Sequence, residues 1–281
     1  NLADIHLLPQ LAGAADLVRR GHGRQHRIPD FSGRRDELGE LASALREMTD
    51  ALWARMDAIE RFAADVAHEI KNPLSSLRSA VETAARVKDA EQQRRLMSII
   101  QDDVARLDRL ITDISDASRL DAELSREETV PVQIDRLLST LVDIHNETGG
   151  SESPRLILDL APGADLRVRG FEERLGQVFR NLIVNAISFS PPGGIIRIAA
   201  IRKDKDVVVQ AEDTGPGIPA NRYEEIFDRF YSERPSGEKF GTHSGLGLSI
   251  SRQIVNAHGG SIQAENRAEG GARFIVRLPA G

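Results

Sequence analysis

The sequence predicts a multi-domain chain that is all-α in its first part and an α/β sandwich in its second. Three observations carry this expectation. Apolar residues recur at alternating steps of three and four through most of residues 1 to roughly 120, the spacing of helices that share a seam. A short polar break, "VKDAEQ", divides the end of that run into two helices. From roughly residue 125 onward, short β-branched runs alternate with amphipathic helical stretches.

In the first part, Leu8, Leu11, Ala15 and Val18 open the seam, and "RRGHGRQHRIPDFSGRRDE" interrupts it with glycines and a proline that read as a connector. The seam resumes at Leu38, Leu41, Leu45, Met48 and Leu52. Two successive four-residue steps, through Met56, then shift its phase before Ile59, Ala63, Val66 and Ile70 continue it. Such a stutter locally unwinds a coiled coil and is a place where a twist can pass between modules. Periodicity alone favours an inert helical stalk. A second helix is expected from about Glu91 to Arg119, with Leu96, Ile99, Leu107, Leu110, Ile111 and Ile114 turned inward. The two helices should form an antiparallel hairpin. One hairpin does not easily bury both apolar stripes, so two copies should join as a four-helix bundle, a homodimer.

In the second part, "PRLILDL" and "DLRVRG" read as strands and "EERLGQVFRNLIVNAISFS" as an amphipathic helix. "GGIIRIAAIRKDKDVVVQAED" reads as a hairpin, "HSGLGLSISRQIVNAHGG" as a glycine-opened helix ending at Gly259, and "GSIQAENRAEGGARFIVRLP" as a final strand pair. A mixed sheet with helices on one face is the expected sandwich. The polar segment "YSERPSGEKFGTHS" reads as a lid.

Composition narrows the function. The chain has 281 residues, more than a typical single domain. Its net charge of -6 argues against a dominant nucleic-acid interface, and 4% aromatic residues leave few platforms for stacking bases. There is no cysteine, which excludes disulfides and thiolate metal sites and fits a reducing compartment. No window approaches 18 apolar residues and no signal-peptide pattern is present. The chain begins at Asn1 rather than a methionine, so a fragment with further sequence upstream is expected.

Four clusters could carry chemistry. In "FAADVAHEIKNPLSSL", His68 falls nearly opposite the Val66 and Ile70 stripe, Asn72 lies one turn further on its face, and Glu69 flanks it. Pro73 removes a helical hydrogen bond and should kink the helix there. A neutral imidazole beside a carboxylate is a candidate nucleophile, although a lone exposed histidine is far more often an ordinary surface residue. In "QVFRNLIVNA", Asn181 and Asn185 share a face, and amide oxygens suit Mg²⁺; buried capping asparagines are the plainer reading. In "EDTGPGIP", Asp213 can accept from an exocyclic amine while Gly215 and Gly217 admit a flat ring, or the segment is only a turn. In "GTHSGLGLS", Gly241, Gly245 and Gly247 precede a helix whose free amides can receive phosphates.

Together these segments resemble the boxes of sensor histidine kinases: the H box around His68, the N box "QVFRNLIVNA", the G1 box "DTGPGIP", the F box "IFDRFY" and the G2 box "SGLGLS". "FAADVAHEIKNPLSSLRSAVE" with "NAISFSPPGG" most resembles the ChvG/ExoS subgroup of envelope-responsive kinases. The resemblance implies a HAMP-like relay over residues 1–55, a dimerisation and phosphotransfer hairpin over 56–120, and a GHKL (Bergerat) ATP-binding domain over 121–281. It implies that His68 accepts a phosphoryl group from ATP, that Glu69 is its base, and that Asn72 orients water for dephosphorylating a partner. It further implies that Asn185 holds Mg²⁺ with Asn181 near the phosphates, that Asp213 binds adenine, and that Gly215, Gly217, Gly245 and Gly247 shape the pocket.

Two positions depart from the family. A basic residue often follows the magnesium asparagine by three, where this chain has Ser188, and another often follows "RFY", where it has Ser232. Arg229, Arg234 or Lys239 would then meet the triphosphate. The implied acceptor is an aspartate of a response regulator docking near Ser75, Ser76 and Arg78, with "SRLDAELSREE" as the hinge between domains. The implied setting is the cytoplasmic side of a bacterial inner-membrane sensor whose membrane segments lie outside this chain. Two other classes compete: a non-catalytic scaffold that only senses ATP, and a GHKL ATPase of the chaperone or topoisomerase sort. Intact His68, Glu69, Asn185 and Asp213 count against the first, and an exposed histidine on a dimer hairpin counts against the second.

Overall fold

The computed structural model describes residues 37–124, 129–150, 153–231 and 244–281. The chain divides into two compact units, Asn1–His68 and Glu69–Gly281. The expected first seam, the connector and most of the lid segment lie outside the described residues.

Helix α1 spans Glu37–Ala84 and runs on through Pro73, and α2 spans Ala90–Leu124. The turn between them is tied by Gln93 Nε2 donating to the Val87 carbonyl at 2.8 Å. The second helix extends past the expected end near Arg119. Within the larger unit, Pro73, Ala80 and Leu110 are buried in the hairpin. Ile99 and Ile111, expected to face inward, are instead exposed by 44% and 58%. Their sequence spacing is helical, but a two-helix hairpin covers only one side of each helix.

The α/β sandwich begins with β1 (Val130–Gln133) and α3 (Ile134–Thr148), followed by β2 (Arg155–Leu160) and β3 (Arg167–Gly170). Neither β1 nor α3 was anticipated from sequence. Helix α4 (Glu172–Phe189) precedes the hairpin of β4 (Ile195–Lys203) and β5 (Asp206–Glu212). Helix α5 (Gly247–Ala257) leads to β6 (Ser261–Asn266) and β7 (Ala272–Pro279).

The main sheet has the order β2-β4-β5-β7-β6, with β2 and β4 parallel and the remaining neighbours antiparallel. Register aligns Ala200 with Val209 and Val209 with Val276, and likewise Ile198 with Ala211 and Ala211 with Phe274. These residues share one sheet face and are buried. Ile134, Leu138 and Val142 of α3, with Leu175, Phe179 and Leu182 of α4 and Ile254 of α5, supply the buried helical layer. β1 pairs with β3 as a separate antiparallel ribbon. The β4–β5 hairpin turns on two residues, with Asp204 at a φ of 55°, a left-handed conformation that aspartate tolerates.

Helix α5 ends as its glycines predict. Gly259 has a φ of 71°, its N–H donates to Asn256, and the Gly260 N–H donates back to Val255. That pair of reversed bonds satisfies the last carbonyls and stops the helix.

Candidate functional site

His68 and Asn72 are exposed on α1, as their place opposite the apolar stripe requires. Glu69 is half-buried, and its carboxylate is not free: Arg106 of α2 donates to it through Nη2 at 2.9 Å. The Arg106 side chain is only 9% exposed. Its partnership with Glu69 joins residues 37 apart and has no local sequence signal.

The second cluster is assembled from four segments of the sandwich. Asp213 follows β5 and is 2% exposed. Its Oδ1 accepts from the Gly215 N–H at 2.9 Å and the Ala272 N–H at 3.0 Å. Both donors occupy one oxygen, so Oδ2 takes no hydrogen bond among the described residues. Burial pushes the carboxyl above its ordinary value, against the pull of the two backbone donors and the Arg267 guanidinium. Asp213 is therefore a buried acceptor with one oxygen available to an incoming donor.

The end of α4 abuts Gly215, where a Cβ would collide with the Phe189 carbonyl. Earlier on α4, Asn181 Nδ2 donates to the Gly247 carbonyl at 3.0 Å and lies 3.3 Å from Ser251 Oγ. Ser251 is fully buried and also donates to the Gly247 carbonyl. Asn181 thereby fixes the start of α5, and Asn185, one turn along α4, has no hydrogen bond to the described residues. Among the described residues no side chain caps the first turn of α5, which leaves its backbone N–H groups for an anion.

Two glycines meet real steric demands. Gly217 has a φ of 81°, and a Cβ there would lie 2.8 Å from Asn266 Oδ1. Gly245 has a φ of 74°, and a Cβ there would lie 2.8 Å from the Phe230 Cα. The Phe230 N–H donates to the Gly245 carbonyl at 2.9 Å, which joins the motifs on either side of residues 232–243. Ser188 bonds its own helix at the Val184 carbonyl, 3.1 Å away. Arg229 is exposed after the 3-10 turn Glu225–Phe227, while Arg234, Lys239, Gly241 and Ser232 lie outside the described residues.

The larger unit also brings α2 against this cluster. Gln177 of α4 donates to Asp116 of α2 at 3.2 Å. Burial raises the Asp113 carboxyl, opposed by a hydrogen bond from Ser244 beside Gly245. Among the described residues no group of three or more His, Cys, Asp or Glu could hold a metal ion by itself. A divalent cation there would need oxygens from a bound nucleotide as well as from the protein, which suits Asn185, whose amide has no partner among the described residues.

Comparison with known proteins agrees with this geometry. Residues 58–123 match the His Kinase A (phospho-acceptor) domain, and residues 170–281 match the histidine kinase-, DNA gyrase B-, and HSP90-like ATPase family. The chain is 53% identical over 287 aligned residues to the sensor protein ChvG of Rhizobium meliloti, covering 98% of this chain and 50% of the relative. It is also 53% identical to ChvG of Agrobacterium fabrum, covering 97% and 48%. The chain thus spans about half the length of the curated relatives it matches. Among solved structures, the histidine kinase ThkA in complex with response regulator protein TrrA aligns at a TM-score of 0.66 and 27% identity, covering 88% of this chain and 68% of that one. No helix among the described residues is long and apolar enough to cross a membrane.

Proposed function

Because this chain belongs to the sensor histidine kinases, we propose that it is an ATP-dependent protein-histidine kinase that phosphorylates its own His68 and passes the group to an aspartate of a response regulator. The observation that supports this most is the linked cluster of the sandwich. Asn181 holds the start of α5, α4 abuts Gly215, and Asp213 keeps one buried oxygen open. Those groups suit, respectively, the phosphates, the base and the exocyclic amine of ATP.

In the proposed reaction one ring nitrogen of His68 attacks the γ-phosphorus, the bond from that phosphorus to the β–γ bridging oxygen breaks, and ADP leaves. Glu69 orients or receives the proton on the other ring nitrogen, which requires its carboxylate to leave or share the Arg106 guanidinium. Asn185 would hold Mg²⁺, whose charge offsets that of the phosphates when it is bound. Arg229, Arg234 or Lys239 would supply further positive charge, since Ser188 and Ser232 stand at positions that relatives often fill with a base. The transferred group would go to a regulator docking near Ser75, Ser76 and Arg78. Residues 1–55 would relay a signal, and the intact protein would place these residues on the cytoplasmic side of a membrane. The catalytic step is then chiefly positioning, and the hinge between hairpin and sandwich would lie within residues 118–128.

The test is incubation of the 281-residue chain with γ-labelled ATP and Mg²⁺ beside His68→Gln. Label that survives alkali, is lost in acid, needs Mg²⁺ and is absent from the variant is the expected result. ATP turnover without stable label would favour an ATPase; ATP binding without label would favour a scaffold or an off state. Deleting residues 1–55 separates those last two, because only an off state imposed by the relay would regain label.

A further inference from the structure

The geometry points to Asn266 and Arg267, at the end of β6, as positioning residues that hold the base-binding loop in its nucleotide-ready form. This rests on the reading of Asp213 as the adenine acceptor. Asn266 grips the loop through both backbone polar groups of one residue: its Oδ1 accepts from the Ile218 N–H at 2.7 Å and its Nδ2 donates to the Ile218 carbonyl at 2.8 Å. The same Nδ2 lies 3.2 Å from the Tyr223 hydroxyl. A side-chain amide paired this way imitates a strand neighbour and fixes the two peptide groups that flank Ile218.

Arg267 holds the other end of the loop. Its Nη1 donates to the Asp213 carbonyl at 2.7 Å, so it grips the backbone of the residue whose side chain is to read the base. Its own orientation is set by Glu212, 3.4 Å from Nε, a carboxylate that Arg273 also bonds at 2.7 Å. Glu212 and Arg267 are 13% and 17% exposed, so this pair is largely shielded from water and salt. The β6–β7 turn closes behind it through Arg267 N–H to the Gly271 carbonyl, and the adjacent Ala272 N–H completes the hold on Asp213 Oδ1. The loop between Asp213 and Ile218 is thus anchored at both ends by the protein's own side chains. Freeing either end would make each binding event carry the cost of ordering the loop, and would let Oδ2 drift from the base.

The experiment compares ATP and GTP affinity, and KM against kcat for self-labelling, in the 281-residue chain and in Asp213→Asn, Asn266→Ala and Arg267→Ala. The clamp predicts that Asn266→Ala and Arg267→Ala each weaken ATP binding about tenfold, with kcat falling much less, and narrow the preference for ATP over GTP. Asp213→Asn should abolish that preference. If it does and the two alanine variants bind ATP as the parent does, the clamp is overturned while the adenine reading stands. If Asp213→Asn leaves the preference intact, the adenine reading itself fails. Hydrogen exchange on the unaltered chain decides the matter even where a variant does not fold: the Ile218 amide should be protected without nucleotide, and rapid exchange there would overturn the proposal.

Discussion

At Asp213, function and stability pull apart. Burial raises its carboxyl above the ordinary value of 3.8, so the folded chain holds that proton more tightly than the unfolded one does. The stabilisation this gives is complete below about 3.8 and is lost as pH rises through the raised folded value. Above that range the buried carboxyl is a cost that the fold carries, because the unfolded chain ionises it more readily. Asparagine keeps an oxygen for the Gly215 and Ala272 N–H groups and carries no charge. Asp213→Asn should therefore melt no lower than the parent at pH 7 while losing ATP affinity, which paired melting and binding curves would show. A lower Tm at pH 7 would mean the carboxylate contributes to folding. Asn72 offers a second separation, because it is exposed and makes no contribution to the core. Asn72→Ala should leave self-labelling intact and slow dephosphorylation of a phosphorylated regulator; equal loss of both would remove its assigned role.

The elements differ in how plainly the sequence announces them. Helices α1, α2, α4 and α5 and the two hairpins of the main sheet were legible because each has several turns or strands of one periodicity. Helix α3 has the same kind of signal, Ile134, Leu138 and Val142 at steps of four, but it lies between a four-residue strand and a loop, so nothing at its ends marks it in the sequence. The motif residues Asn181, Asp213 and Gly245 stand out by type within short spaced motifs, although their partners Gly247, Ala272 and Phe230 lie in other segments. Arg106, Asn266 and Arg267 belong to no such motif, and only helix pairing and strand register bring them to their partners. Arg106 shows what such a partnership holds together. It joins α2 to α1 through an ion pair shielded on one side and 25% exposed on the other, and its Nε has no partner among the described residues. Removing Arg106 leaves the Glu69 carboxylate without its cation, so Arg106→Ala should cost about 1–3 kcal/mol, between surface and fully buried pairs. Chemical denaturation in a double-mutant cycle with Glu69→Gln checks this. Additivity of the two changes within about 0.5 kcal/mol would mean that the pair contributes nothing jointly.

On the scale of the molecule, the unsatisfied surface is that of the hairpin. Met97, Val104 and Ile111 of α2 are each about half exposed and fall seven residues apart, as do Leu74 and Val81 of α1. A seven-residue step returns to the same side of a helix, so each helix carries an apolar line along its length. The inner face of the hairpin is already filled by Pro73, Ala80 and Leu110, which leaves these lines for another surface. A second hairpin of the same chain presents matching lines at the same spacing, and its approach would complete a four-helix bundle. Ile111 is the most exposed of the α2 series at 58%, so a charge there has little effect on the single chain but would be brought near its symmetry mate in a dimer. Ile111→Lys should accordingly shift the chain from dimer to monomer at micromolar concentration in sedimentation equilibrium, with ATP binding by the sandwich retained. Persistence of the dimer would place the self-association on some other surface. Loss of ATP binding together with the dimer would show that the hairpin and the sandwich do not fold independently.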